Sequence, residues 1–132
     1  MKLIDSSCWV DYYHPDGDSR IQTAVAEAFE SDEAAICGVI RIEILGYIAR
    51  QAEYDAASED FSGMHNLPIT NSEFDTAVAI GRALRAKGAS VPATDLLIAA
   101  AAINNNAVLL HCDRHFLMIA KYSALKQKAF LK

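Results

Sequence analysis

Four carboxylates in this chain, Asp5, Glu43, Asp95 and Asp113, stand at the ends of apolar segments, where a fold could gather them. Asp5 closes the run "KLI", and Asp113 closes "AVLLHC". Asp95 opens the apolar stretch "LLIAAAAI", and Glu43 lies just beyond "AAIC". Carboxylates brought within a few Å of one another raise each other's pKa or force neutralisation. A divalent cation resolves that conflict, and oxygen ligands of this kind suit Mg²⁺ or Mn²⁺. One or two such ions could activate water and stabilise charge on a phosphodiester. They would also turn an acidic pocket into a phosphate-binding one.

Each acid also has a plainer explanation. Asp5 could end a strand in a turn, accepting bonds from the backbone N–H of Ser6 or Ser7. Asp95 suits a helix start as a cap and by the macrodipole. Asp113 could cap "RHFLMIAK", and Glu43 could pair with Arg41 or Arg50. No spacing rule among the four has the specificity of a zinc motif. His14, His65, His111 and His115 are scattered, and no phosphate loop, dinucleotide fingerprint or nucleophile elbow is present. Trp9, Tyr12 and Tyr13 could stack bases, although such a run more often belongs to a core.

Short apolar runs alternate with longer helical patterns. "KLID", "AAIC" (34–37), "NLPIT" (66–70), "AVLLHC" (107–112) and "KAFL" read as strands. Residues 21–30 have helical spacing, as does the stretch from Asn71 or Ser72 to Gly88, with Ser72 and Asp75 resembling a capping box. Thr94 can cap a helix over 95–105 that the "NNN" at 104–106 ends. This alternation implies βαβ units and a parallel sheet covered on both faces. In such sheets ligands bind at the carboxyl ends of the strands, where these acids fall. "VIRIEIL" at 39–45 alternates like a strand yet also fits a helix over 39–51.

The 132 residues suit one domain, and no apolar run reaches transmembrane length. An acid at residue 5 leaves no room for a signal peptide, so a soluble, cytoplasmic protein is expected. Cys8, Cys37 and Cys112 are far apart and form no CxxC pair, which indicates neither a zinc site nor a disulfide framework. The net charge of −5 argues against bulk electrostatic binding to nucleic acid. After Asp113, however, the chain carries Arg114, Lys121, Lys126, Lys128 and Lys132 and no acid. That tail could touch phosphate or simply be solvated.

With these segments in view, the chain resembles a PIN domain, in particular a VapC-type toxin ribonuclease. The pieces are "LIDSSCWVDYY" at 3–13, "VIRIEILGYIAR" at 39–50, "ATDLLIAAAAINNNAVLLHCD" at 93–113 and "DRHF" at 113–116. They occur in the family's order and extend from end to end. The resemblance implies a single domain over 1–132, a three-layer α/β/α fold with a parallel sheet of about five strands in the order 3-2-1-4-5, and a helix at 39–45. It carries the family's catalytic and metal-holding acids onto Asp5, Glu43, Asp95 and Asp113, with Mg²⁺ or Mn²⁺ as cofactor. Ser7 matches a supporting Ser or Thr of the family. The pattern departs at His111, where the family often has Thr; a His could donate a hydrogen bond to the site or bias it toward Mn²⁺.

The function so implied is metal-dependent cleavage of RNA by a toxin held by a cognate antitoxin protein, with homodimerisation and no membrane partner. Two alternatives fit the same residues: a PIN nuclease of RNA processing with no antitoxin, and a non-catalytic binding module whose acids merely cap elements.

Overall fold

The computed structural model describes residues 1–131; Lys132 of the basic tail lies outside the described residues. Five parallel strands form one sheet in the order β3-β2-β1-β4-β5. Strand β1 (Lys2–Ile4) is central, pairing Leu3 with Ala35 of β2 (Ala34–Cys37) and with Leu109 of β4 (Val108–His111). Leu3, Ala35 and Leu109 are fully buried. Apart from Lys2 and His111 at their ends, these strands are apolar rather than alternating, as expected where helices cover both faces. β3 (His65–Leu67) and β5 (Lys126–Ala129) form the edges. The lysines of β5 discourage further strand pairing at its edge.

The helices are α1 (Ser6–Tyr13), α2 (Ser19–Glu30), α3 (Gly38–Leu45), α4 (Gln51–Ser62), α5 (Asn71–Ala86), α6 (Ala93–Asn104) and α7 (Arg114–Lys121). The ambiguous alternating stretch is thus helical, but it stops at Leu45 instead of running to residue 51. A separate helix, α4, follows. Its sequence hides it, because only Ala57 and Phe61 are buried in an otherwise polar stretch.

Several boundaries differ from the sequence expectation, among them the last strand, which covers Lys126–Ala129 rather than "KAFL". β3 ends at Leu67, before Pro68, which has no N–H to donate to a ladder. Thr70 then caps α5 instead of closing the strand: its backbone N–H donates to Glu73 Oε1 at 2.8 Å, and its Oγ1 accepts from the Ser72 N–H at 3.3 Å. The capping box is therefore Thr70 with Glu73, not Ser72 with Asp75. Finally, α6 starts at Ala93 behind Pro92, so Thr94 sits inside its first turn.

The alanines of α6 are used internally. Ala99 to Ala102 are fully buried. Across from them, a Cβ added at Gly81 of α5 would lie 3.2 Å from Leu96 Cδ1. Small residues let these two helices approach closely and fix where α6 begins, and so where Asp95 stands. Trp9 is likewise core: it is fully buried, and its indole N–H donates to the Ile4 carbonyl at 3.0 Å. It cannot stack on a base.

Candidate metal centre

The sheet ends at a layer of acids. Asp5 follows β1 directly, and its backbone N–H donates to the Leu110 carbonyl at 3.0 Å. Its side chain is almost completely buried. Oδ2 accepts from the Ser7 N–H at 3.1 Å and from Ser7 Oγ at 2.5 Å. The same Ser7 hydroxyl oxygen accepts from the Cys112 N–H at 3.0 Å. Ser7 thus ties the turn after β1 to the turn after β4.

Asp113 follows β4 and caps α7, its Oδ1 accepting from the His115 N–H at 2.9 Å. Its own N–H donates to His111 Nδ1 at 3.1 Å. That nitrogen therefore carries no proton, and His111 Nε2 donates to Gln127 Oε1 at 2.7 Å. His111 is wholly buried with its ring edge-on to Phe116. It accepts from the Asp113 backbone and points its other nitrogen at β5. Its contacts therefore support the turn that carries Asp113, and neither ring nitrogen is turned to the acids.

Asp95 lies in the first turn of α6, and its Oδ2 contacts His115 Nδ1 at 2.8 Å. That nitrogen is also 3.5 Å from Asp113 Oδ1. Single ligand atoms of Asp95, Asp113 and His115 all lie within 4.8 Å of one another. His115 was not singled out by sequence reasoning; its only signal was its place two residues beyond an aspartate at a helix start. Glu43 projects from α3, with Oε1 accepting from Ser6 Oγ at 3.3 Å. It makes neither of the expected pairs with Arg41 or Arg50; Arg50 instead lies 3.9 Å from Glu53.

The electrostatics bind these positions into one cluster. Burial pushes the Asp5 carboxyl above its ordinary value, although the bonds from Ser7 oppose it. Burial also raises Glu43, and the Asp5, Asp95 and Asp113 charges add to it. Asp95 is raised by burial first; the His115 bond opposes this, and the charges of Asp113 and Asp5 reinforce it. Three carboxyls from three separate elements are therefore held where their charged forms are disfavoured. Local bonding explains one oxygen of Asp5 and one of Asp113 but not the gathering of all four acids. The donor set, oxygen-rich and short of positive charge, fits a hard divalent cation. Asp95, Asp113 and His115 bring ligand atoms close enough to share one ion; Asp5 and Glu43 lie outside that group and are linked to it through their charges.

A five-stranded 3-2-1-4-5 parallel sheet with an acidic cluster at its carboxyl edge defines a class of compact α/β proteins built around such a site. The sequence pattern of the PIN domain matches residues 2–122, and the chain belongs to the PIN domain family. It is similar to VapC ribonuclease Mb1587 of Mycobacterium bovis, at 31% identity over 98% of this chain and 99% of that one. Ribonuclease VapC18 of Mycobacterium tuberculosis is 28% identical over 89% of this chain and 85% of that one. Among solved structures, VapBC2 from Rickettsia felis, bound to a DNA fragment from its promoter, superposes with a TM-score of 0.77 at 16% identity, covering 98% of both chains. FitAcB from Neisseria gonorrhoeae superposes with a TM-score of 0.73 at 14% identity, covering 96% of both. At these identities the superpositions establish the fold.

Proposed function

We propose that this protein is a VapC-type endoribonuclease, the toxin half of a toxin–antitoxin pair, which hydrolyses RNA phosphodiester bonds with Mg²⁺ or Mn²⁺ at the acidic cluster. What supports this reading is the approach of Asp95 and Asp113 at the carboxyl edge of the sheet, with the charges of Asp5 and Glu43 acting on the same place. Asp5, Asp95 and Asp113 would hold the ion, with Ser7 and His111 fixing the turns that present Asp5 and Asp113. A bound divalent cation would supply a water that ionises near neutral pH and charge to offset the phosphate. Glu43, held by Ser6 and carrying a raised affinity for protons, suits acceptance of the attacking water's proton at its carboxylate. Residues 1–132 would act as one domain in the cytoplasm. No helix among the described residues is long and apolar enough to cross a membrane.

The antitoxin has a place to bind. A groove of about 490 Å³ runs between α1, α3 and α4, floored by Trp9, Ile44, Ile48 and Ala57 and bordered by Glu43 and Glu53. Apolar floor and acidic border suit an amphipathic segment that delivers a basic side chain toward the acids. A homodimer would cover Phe74 and Val78, exposed one turn apart on α5.

The test is RNA cleavage in Mn²⁺ buffer by clean preparations. Asp5→Asn and Asp95→Asn should lose activity by orders of magnitude while staying folded. Undiminished cleavage by both would sink the proposal. A processing nuclease without an antitoxin is separated by expression alone: a toxin arrests growth, and co-expression of the adjacent small reading frame restores it.

A further inference from the structure

The cysteines scattered in sequence are not scattered in space. Cys8, on the buried face of α1, and Cys112, in the turn after β4, bring their Sγ atoms to 3.8 Å. Cys8 is wholly buried, Cys112 is partly exposed, and all three cysteines are free thiols. Cys37 is buried at the start of α3 and provides an internal control.

The pair lies beside the acids through covalent and hydrogen-bonded links. Asp5 caps α1, which carries Cys8 three residues later. Asp113 follows Cys112 directly. Between the two turns stands Ser7, donating to Asp5 and accepting from the Cys112 N–H. We propose that Cys8 and Cys112 form a thiol–disulfide site whose oxidation cross-links the β1–α1 turn to the β4–α7 turn and shifts the carboxylates each one carries.

The oxidant is a hydroperoxide. The Cys112 sulfur, the one solvent reaches, attacks the peroxide oxygen; the O–O bond breaks, and Cys112 becomes a sulfenic acid with release of water from hydrogen peroxide. The Cys8 sulfur then attacks the Cys112 sulfur. An S–S bond forms, the S–O bond breaks, and hydroxide leaves with the Cys8 proton as a second water. Two thiols lose two electrons in total, and the peroxide gains them.

Closing from 3.8 Å to a bonded length near ~2.05 Å draws the sulfurs together by roughly 1.7 Å. Whatever part of this side-chain rotation does not absorb falls on the main chain next to Asp5 and Asp113. Supporting changes around a metal site typically weaken affinity by roughly 10–100-fold. The consequence for metal rests on the metal-centre reading; the cross-link itself does not.

The experiment treats the full chain with excess hydrogen peroxide, blocks free thiols, maps peptides without reduction, and titrates Mn²⁺ by calorimetry before and after dithiothreitol. The expected result is a Cys8–Cys112 linked peptide, a free Cys37, and Mn²⁺ affinity at least about tenfold weaker that returns on reduction. Cys8→Ala should leave Cys112 as a sulfenic or higher acid with no cross-link. If that variant does not fold, Cys112→Ser at the partly exposed position gives the same loss. Oxidation of Cys112 without the linked peptide overturns the site. A linked peptide with unchanged Mn²⁺ affinity overturns the coupling. If the reduced protein binds no Mn²⁺, the metal-centre reading falls instead, and the peptide map still decides the cysteine pair.

Discussion

Asp95 separates a ligand from a structural residue of the first turn of α6, where it makes no cap. Replacing it with Asn removes the charge and keeps the shape. The Asn Oδ1 still accepts from His115, whose Nδ1 lies 2.8 Å from the native carboxylate oxygen. Without metal, the native charge is disfavoured by burial and by Asp113 and Asp5. The metal-free variant should therefore melt at the same temperature as the parent or higher. With metal the order reverses. An ion at one hundred times its Kd stabilises the parent by about 2.7 kcal/mol. Unfolding entropy near 2.1 cal/mol/K per residue over 132 residues is about 0.28 kcal/mol/K, so the parent should gain about 10 °C. If losing one ligand weakens binding about a hundredfold, the same ion concentration equals the variant's Kd and adds only about 0.4 kcal/mol, or roughly 1.5 °C. The assay is a thermal melt with and without Mn²⁺ at matched ionic strength. A variant that melts lower without metal and keeps the parent's Mn²⁺ shift would refute the reasoning, because Asp95 would then be only a structural residue of α6.

The pH dependence has a definite sign. Asp5, Glu43 and Asp95 all have raised pKa in the folded state, so the stability they contribute is present below the ordinary carboxyl range and is lost as pH rises through their folded values. Metal binding competes with those protons, so the Mn²⁺ shift in melting temperature should be larger at pH 7.5 than at pH 5; the reverse order would contradict it. Ser7→Ala should lower stability in urea by about 1 kcal/mol for the lost buried bonds and weaken Mn²⁺ by roughly tenfold, since it frees both Asp5 and the Cys112 turn. Asp113→Ser should keep the α7 cap and melt within about 0.5 kcal/mol of the parent, yet lose Mn²⁺ affinity in calorimetry. Equal loss of stability in Asp113→Ser and Asp113→Ala would show that the carboxylate itself, rather than the cap, holds α7.

What the sequence disclosed divides along a physical line. Buried strands such as "KLI" and "AVLLHC" are apolar on both faces, and the acids that end them are conspicuous, so the sheet and its acidic edge were legible. Helix α4 was not, because two buried residues in twelve leave almost no periodicity to read. Thr70 was misplaced because its β-branched side chain favours a strand while its hydroxyl favours a cap, and only the break at Pro68 decides between them. His115 and the Cys8–Cys112 contact depend on how α7 and α1 are rotated against the sheet. That information is spread over the whole core and has no local signature.

The plain and the chemical explanations of the acids are not rivals in this fold. Asp5 and Asp113 each cap the helix that follows them, with one oxygen accepting a backbone N–H two residues on. A cap fixes the side chain's rotamer and aims the carboxylate over the helix start. A metal ligand needs the same fixity, and the positive end of a helix partly offsets the burial that disfavours the charge. Capping alone, however, predicts acids that are solvated and independent. Asp5 is nearly buried, and Glu43, which caps nothing, is raised by burial and then by the charges of Asp5, Asp95 and Asp113 together. A fold that needed only caps could place Ser or Asn at these positions without that repulsion. Retaining charge where charge is disfavoured makes sense for a site that meets a cation, which is why the melting order of Asp95→Asn, inverted by Mn²⁺, tests the site more sharply than loss of activity does.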